Sequence, residues 1–511
     1  MSHTTLQILL MSQLRRGADR TAIVTAQGRT WTYGDLEAGM HRYAGALASL
    51  GLKAGERVVV QTDKSVETLL IYLAAHYLGA IYIPLNTDYT KAEVGYFLAD
   101  AEPVVAVCRP SSLDAFNELA QGGAGPTCIT LASDGTGTLA AMAAQNLSIP
   151  APAPVAPDDL AAICYTSGTT GRSKGAMLSQ GNLASNALAL VDAWQFSARD
   201  VLIHALPIFH IHGLFVAMHC ALLSGAKTLF LTKFDANEIC RLMPEASVLM
   251  GVPTFYTRLL DCSAFTRDVA RGMRLFVAGS APLSADTFRS FEAHTGHRVL
   301  ERYGMTETGI LTSNAYEGAR VPGSVGKPLP GVTLRVTDPQ TGAPVPSGEV
   351  GDVEVKGDSV FKGYWRNPEK TAAEFRADGF FITGDMGRFD ETGYLHLVGR
   401  AKDLIISGGL NVYPKEIEAA LEDIPAVADA AVIGVPHADL GEAVVAVIKL
   451  SDPSVQADTL RQTLRTQLAG FKVPKHIAVL DELPRNAMGK VQKTVLRERF
   501  RHLFATSSSS D

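Results

Sequence analysis

The stretch that decides the fold reads Tyr165-Thr-Ser-Gly-Thr-Thr-Gly-Arg-Ser-Lys-Gly-Ala176. An apolar run of strand length, Ala161-Ala-Ile-Cys-Tyr165, leads into it. The glycines let the backbone turn tightly and point amide groups at an anion, while hydroxyl and lysine side chains add further donors. The spacing differs from a Walker A loop, in which the lysine directly follows the last glycine. The pattern predicts a strand ending in a polyphosphate-binding loop, with a polar surface hairpin as the alternative.

Helical and strand-like segments alternate around this stretch. Residues 64–79 carry apolar side chains at helical spacing, and Ala80-Ile-Tyr-Ile-Pro84 has strand character. Residues 285–293 have a helical pattern that stops at Gly296. The alternation predicts α/β layers around a largely parallel sheet. Short apolar runs of strand length lie at 202–206, 228–231, 248–252 and 275–278.

Two segments depart from this alternation. Residues 125–159 contain five prolines and little apolar patterning, which favours a surface connection. Residues 331–396 are rich in glycine, valine and short alternating runs, which predicts a compact antiparallel or barrel-like β subdomain.

The sharpest candidate for a domain boundary is Gly399-Arg-Ala-Lys-Asp403, after which the pattern restarts with Pro414 placed to open a helix. We predict a large multi-layer α/β N-terminal domain over residues 1–398, a hinge at 399–402 and a small, mobile α+β domain over 403–504. The serine-rich residues 505–511 are expected to be a disordered tail.

The composition excludes several classes of protein. The chain has 511 residues, of which 47% are hydrophobic and 19% charged, and its net charge of −6 gives no basic surface for nucleic acid or membrane. The six cysteines form no Cys-x-x-Cys pair, which disfavours a disulfide framework or zinc site. The first residues lack the cationic lead-in of a signal peptide, so a cytoplasmic enzyme is expected.

Five motifs together identify a family. Besides the loop at 165–176, the chain contains Tyr303-Gly-Met-Thr-Glu307, Thr383-Gly-Asp385, Gly399-Arg-Ala-Lys-Asp403 and Pro484-Arg-Asn-Ala-Met-Gly-Lys490. Their order and spacing resemble the acyl-adenylate-forming superfamily, which contains acyl-CoA synthetases, peptide-synthetase adenylation domains and beetle luciferases. The resemblance covers nearly the whole chain and implies a ligase that uses ATP, Mg²⁺ and coenzyme A.

The resemblance assigns expected roles at the nucleotide. Tyr303 would stack on adenine, Asp385 would accept both ribose hydroxyls and Arg400 would approach the same ribose. Thr306 would contact the α-phosphate, and Glu307 would bind Mg²⁺, with Thr170 as a further partner of the metal or phosphates. The backbone of Gly279, Ser280 and Ala281 would border the adenine. The residues expected to hold the β- and γ-phosphates are Thr166, Ser167, Gly168, Thr169, Thr170, Gly171 and Lys174.

The small domain is expected to serve two half-reactions. In the family, a lysine at the position of Lys490 enters the site while the acyl-adenylate forms, and Lys402 matches the hinge about which the domain rotates. The segment with Gly408 and Gly409 resembles the one brought in afterwards, where glycines allow pantetheine to approach closely. We also predict that a lysine acetyltransferase modifies Lys490, because acetylation removes the required charge.

Arg302 bears on the identity of the acid. Many relatives have a neutral residue beside the acyl pocket, whereas a guanidinium fork matches a second carboxylate; a salt bridge to a neighbouring acid such as Glu301 is the alternative. With Leu206-Pro-Ile-Phe-His-Ile-His-Gly213 and residues 274–282 and 302–326, Arg302 resembles the branch that activates malonate and sometimes methylmalonate. By this resemblance His210 gates the acyl pocket and the coenzyme A tunnel, and Ser280 helps hold the distal carboxylate.

Other readings stay open. The chain could activate a monocarboxylate such as a medium-chain or aryl acid, or it could load a carrier protein. A nucleotide-binding protein without catalysis would need broken motifs, yet Lys174, Glu307, Asp385 and Lys490 are all present. A zinc site at the histidines of 204–219 is disfavoured, because no cysteine or acid completes it.

Overall fold

The helix predicted over residues 64–79 extends from Val66 to Tyr77 in the computed structural model, where all its residues are buried. Ser65 caps it by accepting a hydrogen bond from the Thr68 amide. The chain then turns at Gly79 and enters the strand predicted at 80–84. The structure describes residues 4–121, 125–145, 148–166, 173–408, 410–437, 439–486 and 489–504.

Twenty-four strands are formed within the described ranges. They are β1 Thr21–Thr25, β2 Thr30–Thr32, β3 Arg57–Gln61, β4 Ile81–Pro84, β5 Val105–Cys108, β6 Thr127–Thr130, β7 Leu160–Thr166, β8 Lys174–Ser179, β9 Val201–His204, β10 Lys227–Phe230, β11 Val248–Gly251, β12 Leu275–Ala278, β13 Leu300–Met305, β14 Gly309–Ser313, β15 Lys327–Pro328, β16 Val332–Thr337, β17 Gly351–Gly357, β18 Phe381–Phe389, β19 Leu395–Arg400, β20 Ile405–Ser407, β21 Leu410–Val412, β22 Val427–His437, β23 Gly441–Leu450 and β24 His476–Val479.

Sixteen α-helices complete the described part of the chain. They are α1 Leu6–Arg16, α2 Tyr33–Ser49, α3 Val66–Tyr77, α4 Lys91–Ala101, α5 Leu113–Ala120, α6 Thr138–Ala143, α7 Gln180–Ala193, α8 His219–Ser224, α9 Ala236–Leu242, α10 Pro253–Leu260, α11 Arg267–Ala270, α12 Ala285–Thr295, α13 Pro368–Glu374, α14 Pro414–Glu422, α15 Ala457–Gln467 and α16 Lys493–Phe500. Single 3₁₀ turns occupy Pro110–Ser112, Met243–Glu245 and Ala401–Asp403, and His212–Met218 is a π-helical segment.

Two mixed sheets with parallel centres organise the large N-terminal part. One has the order β6-β5-β3-β4-β7-β8 and is parallel except for the β7–β8 pair. The other has the order β15-β14-β13-β12-β11-β9-β10-β1-β2, with parallel pairing from β13 to β1. Ligands of open α/β sheets bind beyond the carboxyl ends of the strands. The loops after β7, β9, β12 and β13, which carry the expected site residues, all leave such ends.

Two predictions about the fold need correction. Residues 125–159 are not only a connection, because they contain β6 and α6; β6 is a short edge strand fixed by parallel pairing with β5, which local patterning cannot reveal. Residues 331–396, all of which are described, form no barrel. Strands β16 to β19 make an open antiparallel sheet in sequence order, so the antiparallel alternative is confirmed, and four strands are too few to close.

The C-terminal part has its own sheet and its own apolar core. Strands β20 to β23 pair antiparallel, β24 adds in parallel, and α14 opens at Pro414 as predicted. Buried residues such as Val432, Ile448 and Leu464 pack into a cluster separate from those of the N-terminal sheets. The exact domain limits stay a prediction, and residues 505–511 lie outside the described part. No described helix has the length and apolar character that a bilayer crossing requires.

Candidate active site

Strand β13 carries two of the expected site residues, and the segment that directly follows it carries two more. Arg302 and Tyr303 lie on the strand, and Thr306 and Glu307 follow within the next turn of chain. Because successive side chains of a strand point to opposite faces, Glu301 and Arg302 face away from each other. Glu301 instead accepts a hydrogen bond from the Leu283 amide at 3.1 Å, and no ion pair joins it to Arg302. The salt-bridge alternative for Arg302 is therefore wrong.

Tyr303, Asp385 and Arg400 form one group, which we call the Asp385 cluster. The Tyr303 hydroxyl donates to Asp385 Oδ2 at 2.6 Å, and Arg400 Nε lies 2.8 Å from Oδ1. Burial and the adjacent carboxylate raise the pKa of Tyr303 well above its usual value, so the phenol stays protonated. Register pairs Asp385 on β18 with Arg400 on β19, which explains how residues from two motifs meet.

A second group surrounds Glu307, next to the predicted phosphate loop. Glu307 is buried, and its Oε1 lies 3.4 Å from the Thr166 hydroxyl and 3.2 Å from that of Tyr364. Lys174 Nζ lies 3.8 Å from Glu374 Oε1, and burial lowers the lysine pKa. Desolvation raises the pKa of Glu307, because burial disfavours the charged carboxylate. Ser167 to Gly171, including Gly168, Thr169 and Thr170, lie outside the described residues.

Sequence reasoning missed Tyr364 and Glu374 in this group. The Tyr364 hydroxyl donates to Glu374 Oε2 at 2.6 Å, and its ring lies under the Lys174 ammonium at 5.1 Å. Tyr364 belongs to a loop after β17, and Glu374 ends α13, so no periodicity marks either residue. The only available signal was an aromatic pair, Tyr364-Trp365, next to glycine in a loop.

Arg302, Gly279, Ser280, His210 and His212 form a third group, the Arg302 cluster. Arg302 is 4% exposed, yet its Nε and Nη2 have no hydrogen-bond partner and no described residue forms an ion pair with it. A Cβ at Gly279 would lie 2.3 Å from the guanidinium carbon, so glycine leaves the room that the guanidinium fills. Burial lowers the Arg302 pKa to about 10, which leaves it charged at neutral pH.

The two histidines of this cluster are neutral. Burial, with Arg302 nearby, lowers the pKa of His210 to about 3 and that of His212 well below its usual value. The His212 amide donates to His210 Nδ1 at 3.2 Å, which places the His210 proton on Nε2. Ser280 Oγ lies 3.2 Å from His212 Nδ1, and Ser280 itself has a φ of 72°, a strained left-handed conformation for serine.

A tight loop holds both rings in place. A Cβ at Gly213 would lie 2.0 Å from the Pro207 carbonyl oxygen, so the chain folds back on itself there only with glycine. The buried His204 donates from Nε2 to the Gly213 carbonyl at 2.8 Å, and its Nδ1 accepts from Lys64 at 2.7 Å. In the described part of the chain, no three acid, cysteine or histidine side chains are placed to share a metal ion.

The same loop borders a large cavity that sequence reasoning did not find. Its volume is about 850 Å³, and residues 205 and 207–209 contribute to its wall. Lys64 and Lys233 lie among polar residues on this wall, whereas Phe234 and Phe255 supply apolar surface. The cavity therefore adjoins the His210 segment and has a lining of mixed polar and apolar character.

Lys490 reaches the cleft from the small C-terminal part. Desolvation lowers the pKa of Lys490, and its ammonium also interacts electrostatically with Arg400, Asp385, Arg302 and Glu307. The side chain is still accessible, which fits a position in an open cleft rather than in a packed core. Asn486 accepts a hydrogen bond from the Lys490 amide at 3.0 Å and so fixes the loop that carries it.

Other expected residues lie elsewhere. Gly408 bonds through its amide to the Leu440 carbonyl at 2.9 Å within the small C-terminal sheet region, and Gly409 lies outside the described residues. Lys402 is exposed in the 3₁₀ turn after β19, beside Asp403, which pairs with Arg497 at 2.7 Å. Ala281 is half-buried in the loop after β12, next to Ser280.

Comparison with known proteins accords with this geometry. The model of the AMP-binding enzyme family matches residues 10–365, and that of the AMP-binding enzyme C-terminal domain matches residues 416–490. A malonate–CoA ligase of Arabidopsis thaliana is 34% identical, over 95% of this chain and 87% of its own. A feruloyl-CoA synthase of an Amycolatopsis species is 35% identical, over 93% and 94%. A crystal structure of ATP-bound MatB from Rhodopseudomonas palustris superposes with a TM-score of 0.95 at 54% identity, covering 98% of this chain and all of the other.

Proposed function

Because this chain belongs to the family of AMP-binding enzymes, we propose that it joins malonate to coenzyme A at the expense of ATP. In the first half-reaction a malonate carboxylate attacks the α-phosphorus of ATP, giving malonyl-adenylate and pyrophosphate. In the second, the thiol of coenzyme A attacks the acyl carbon, and AMP leaves. The enzyme is thus an acid–thiol ligase that forms AMP and diphosphate.

The observation that carries the choice of acid is the unpaired Arg302. An isolated charge in a buried site is costly, so a partner is expected when the enzyme works. The distal carboxylate of a short dicarboxylic acid supplies such a partner, and a guanidinium binds it through two parallel hydrogen bonds. A monocarboxylate would leave the cation uncompensated. The relative named malonate–CoA ligase is consistent with this choice.

The Asp385 cluster and Lys490 serve the first half-reaction. Asp385 carries both a phenol and a guanidinium partner, so its carboxylate is held in place before the ribose hydroxyls arrive. Lys490 lies between the two clusters, where its charge would neutralise the attacking carboxylate and the α-phosphate together. The nucleophile is already ionised at neutral pH, so positioning and charge neutralisation replace a general base.

Magnesium fits the Glu307 group as a companion of ATP. Mg²⁺ keeps several waters and is usually held by one or two carboxylates plus phosphate oxygens. Glu307 supplies one buried carboxylate beside Thr166 and Lys174, which suits a metal carried in by the nucleotide. Bound there, the ion would neutralise phosphate charge. Thr170 remains the proposed further partner, and Ser167 to Gly171 the proposed phosphate cradle.

The second half-reaction is assigned to the cavity of about 850 Å³ beside the His210 segment. Its volume and mixed lining suit the pantetheine arm, and His210 would separate it from the acyl pocket. Gly408 and Gly409 would reach this place only after the small domain rotates about Lys402. The exposed Ile406 and Leu410, 53% and 48% accessible on the same hairpin, are apolar surface that such a rotation would cover.

A panel of acids tests the proposal. The protein is supplied with ATP, Mg²⁺ and coenzyme A and with malonate, methylmalonate, succinate, butyrate or ferulate, and AMP and thioester are followed together. Malonate, with or without methylmalonate, is expected to give the highest kcat/KM. A preference for butyrate or ferulate would replace the proposal with the monocarboxylate reading, which the feruloyl-CoA synthase relative represents. Adenylate formation without thioester would favour a carrier protein as acceptor.

Two further parts of the proposal concern the modification of Lys490 and the location of the protein in the cell. An acetyltransferase would reach Lys490, which is accessible on its loop, and acetylation would remove the positive charge of its side chain. Enzyme carrying acetyl-lysine at position 490 should lose adenylation, and full activity would contradict this. A cytoplasmic location rests on the six free cysteines, which favour a reducing compartment, and fractionation of the source cells tests it.

A further inference from the structure

Two cysteines that are distant in sequence, Cys240 and Cys262, lie side by side in the fold. Cys240 is on α9, one helical turn after Asn237, so these two side chains share a face of the helix. Cys262 follows α10, and its thiol donates a hydrogen bond to Asn237 Oδ1 at 3.4 Å. The Cys240 thiol in turn hydrogen-bonds to that of Cys262. The two sulfurs are therefore in contact where α9 packs against α10.

The two thiols differ in their access to solvent. Cys262 is partly exposed, whereas Cys240 is only 3% exposed. Burial raises the pKa of the Cys240 thiol to about 12, so this thiol keeps its proton at neutral pH. An oxidant in solution therefore meets Cys262 first, with a second, protonated thiol directly behind it. Redox-sensitive cysteines are often accessible and adjacent to a second cysteine that completes a disulfide.

We propose that Cys240 and Cys262 form a peroxide-sensitive modification site, at which hydrogen peroxide converts the two thiols into a reversible disulfide between α9 and α10. The Cys262 sulfur attacks one peroxide oxygen and the O–O bond breaks, which gives a sulfenic acid and one water. The Cys240 sulfur then displaces the sulfenic oxygen, which leaves as a second water with the Cys240 proton. Two thiols are thus oxidised and one peroxide is reduced. In a reducing compartment such a disulfide is transient.

The disulfide would join two elements that carry part of the wall of the cavity of about 850 Å³. Phe234 lies just before α9 and Phe255 lies in α10, and their rings, 4.3 Å apart, both line the cavity. The sulfurs of a disulfide are about 2.05 Å apart, much closer than those of hydrogen-bonded thiols. Bond formation therefore draws α9 and α10 together and changes the packing of the two rings. An effect on coenzyme A follows if this cavity receives it, so this consequence rests on the proposed function.

Treatment of the full-length enzyme with hydrogen peroxide tests the site itself. Digestion without reductant, followed by mass spectrometry, should identify two peptides joined through Cys240 and Cys262 with the loss of two hydrogen atoms. Dithiothreitol should separate them again. In Cys240→Ser the oxidation of Cys262 should stop at the sulfenic or sulfinic acid. In Cys262→Ser the buried Cys240 should remain a thiol.

Cys108 and Cys128 supply a matched control in the same sample. They lie on the neighbouring strands β5 and β6, and again one is buried and the other partly exposed. The register places Cys108 opposite Thr130 and Cys128 opposite Ala106, so the two cysteines are diagonal neighbours. Diagonal neighbours are about 7–8 Å apart, beyond the usual reach of a disulfide. This pair should stay unlinked.

The oxidised enzyme also measures the consequence for the reaction. The KM for coenzyme A should rise about 3- to 10-fold, as for a repacked cavity wall, and should return to its original value on reduction. Pyrophosphate–ATP exchange should change by less than about 2-fold, because the first half-reaction does not use this cavity. Cys262→Ser should have a KM for coenzyme A that peroxide does not alter.

The outcomes separate the modification site from the function of the cavity. If peroxide leaves Cys240 and Cys262 unlinked, or links Cys108 to Cys128 as readily, the inference is overturned. If the link forms but the KM for coenzyme A stays the same, the assigned effect on the cavity is wrong. If the untreated enzyme forms no thioester with coenzyme A, the proposed function fails, whereas a mapped Cys240–Cys262 link still supports the modification site.

Discussion

The Asp385 cluster and the Arg302 cluster are both buried in the same cleft, but their charges are compensated differently. Asp385 has a phenol donor and a guanidinium partner in the protein itself. Arg302 has no carboxylate partner among the described residues, and its Nε and Nη2 lack a hydrogen bond there. Lys490 interacts electrostatically with members of both clusters, with Arg400 and Asp385 of the first and with Arg302 of the second.

This difference indicates how the two ends recognise their ligands. A carboxylate already paired within the protein is rigid, and the nucleotide has only to add hydrogen bonds to it. An unpaired buried cation is costly until an anion arrives, so it discriminates strongly between acids that carry the second charge and acids that lack it. We therefore expect variants of the Arg302 cluster to change which acid reacts, and variants of the Asp385 cluster to change how well ATP binds.

Arg302→Ala should give the largest effect. Loss of the cation that pairs the distal carboxylate should cost about 2–5 kcal/mol, which lowers kcat/KM for malonate roughly 30- to 3,000-fold. The KM for ATP should hardly change, and Arg302→Lys should recover only part of the loss, because an ammonium lacks the planar fork. The measurement is the malonate-to-butyrate ratio. A fall of both activities by one factor would mean that Arg302 is structural.

Lys490→Ala tests the residue between the clusters. Removing one charge at the reacting centre should lower adenylate formation about 100- to 1,000-fold. Pyrophosphate–ATP exchange measures this step, and the conversion of supplied malonyl-adenylate with coenzyme A measures the other. The second step should be largely spared, since rotation of the small domain would remove Lys490 from the site. Equal losses in both steps would be evidence against alternation.

Tyr303→Phe tests the Asp385 cluster with a minimal change of side-chain shape. It deletes the hydroxyl that donates to Asp385 at 2.6 Å but keeps the ring and the Arg400 pair. We expect the KM for ATP to rise about 5- to 10-fold, the cost of one buried hydrogen bond. The malonate-to-butyrate ratio should stay constant. If the malonate-to-butyrate ratio changed as much as the KM for ATP, the Asp385 cluster and the Arg302 cluster would not act independently.

Glu301→Gln examines the acid that faces away from Arg302 and should have the smallest effect on catalytic activity, because its main consequence is for stability. Burial raises the Glu301 pKa to about 7, so the folded state keeps a proton that the unfolded state has released above about pH 4.5. The contribution of Glu301 to the free energy of unfolding is therefore fully present below about pH 4.5. It falls by up to about 3 kcal/mol as the pH rises towards 7. Glutamine keeps the acceptor for the Leu283 amide. The thermal midpoints of the wild type and of Glu301→Gln are measured from pH 5 to 8. The midpoint of the variant should rise relative to that of the wild type as the pH increases. A constant difference between the two midpoints would contradict the raised pKa.

The local sequence pattern predicted helices and strands, but it failed where only the pairing between strands determines the structure. The helical spacing at 64–79 and the apolar run at 275–278 predicted α3 and β12 almost to the residue. Strand β6, four residues of which two are threonines, exists because β5 offers an open edge, and no window of sequence contains that information. The same limit applies to β16–β19, where strand character was clear but open or closed pairing was not.

The site shows the same division. Motifs predicted Tyr303, Asp385, Arg400 and Lys490 as one site, and the structure brings them together, although their roles stay proposals. Tyr364 and Glu374 were missed, because each gains its place from a contact with a residue more than ten positions away.

The sequence by itself determined the family, the order of the α/β elements and the residue types of the nucleotide site, because these depend on local spacing and on motifs that stay contiguous along the chain. Only the tertiary structure decided that no acid among the described residues pairs with Arg302. That fact requires β13 to turn Glu301 to the opposite face, Gly279 to leave room for the guanidinium and His212 to lie beside it. Whether a buried charge is compensated depends on all the residues that surround it in the fold, so it cannot be predicted from a single stretch of sequence.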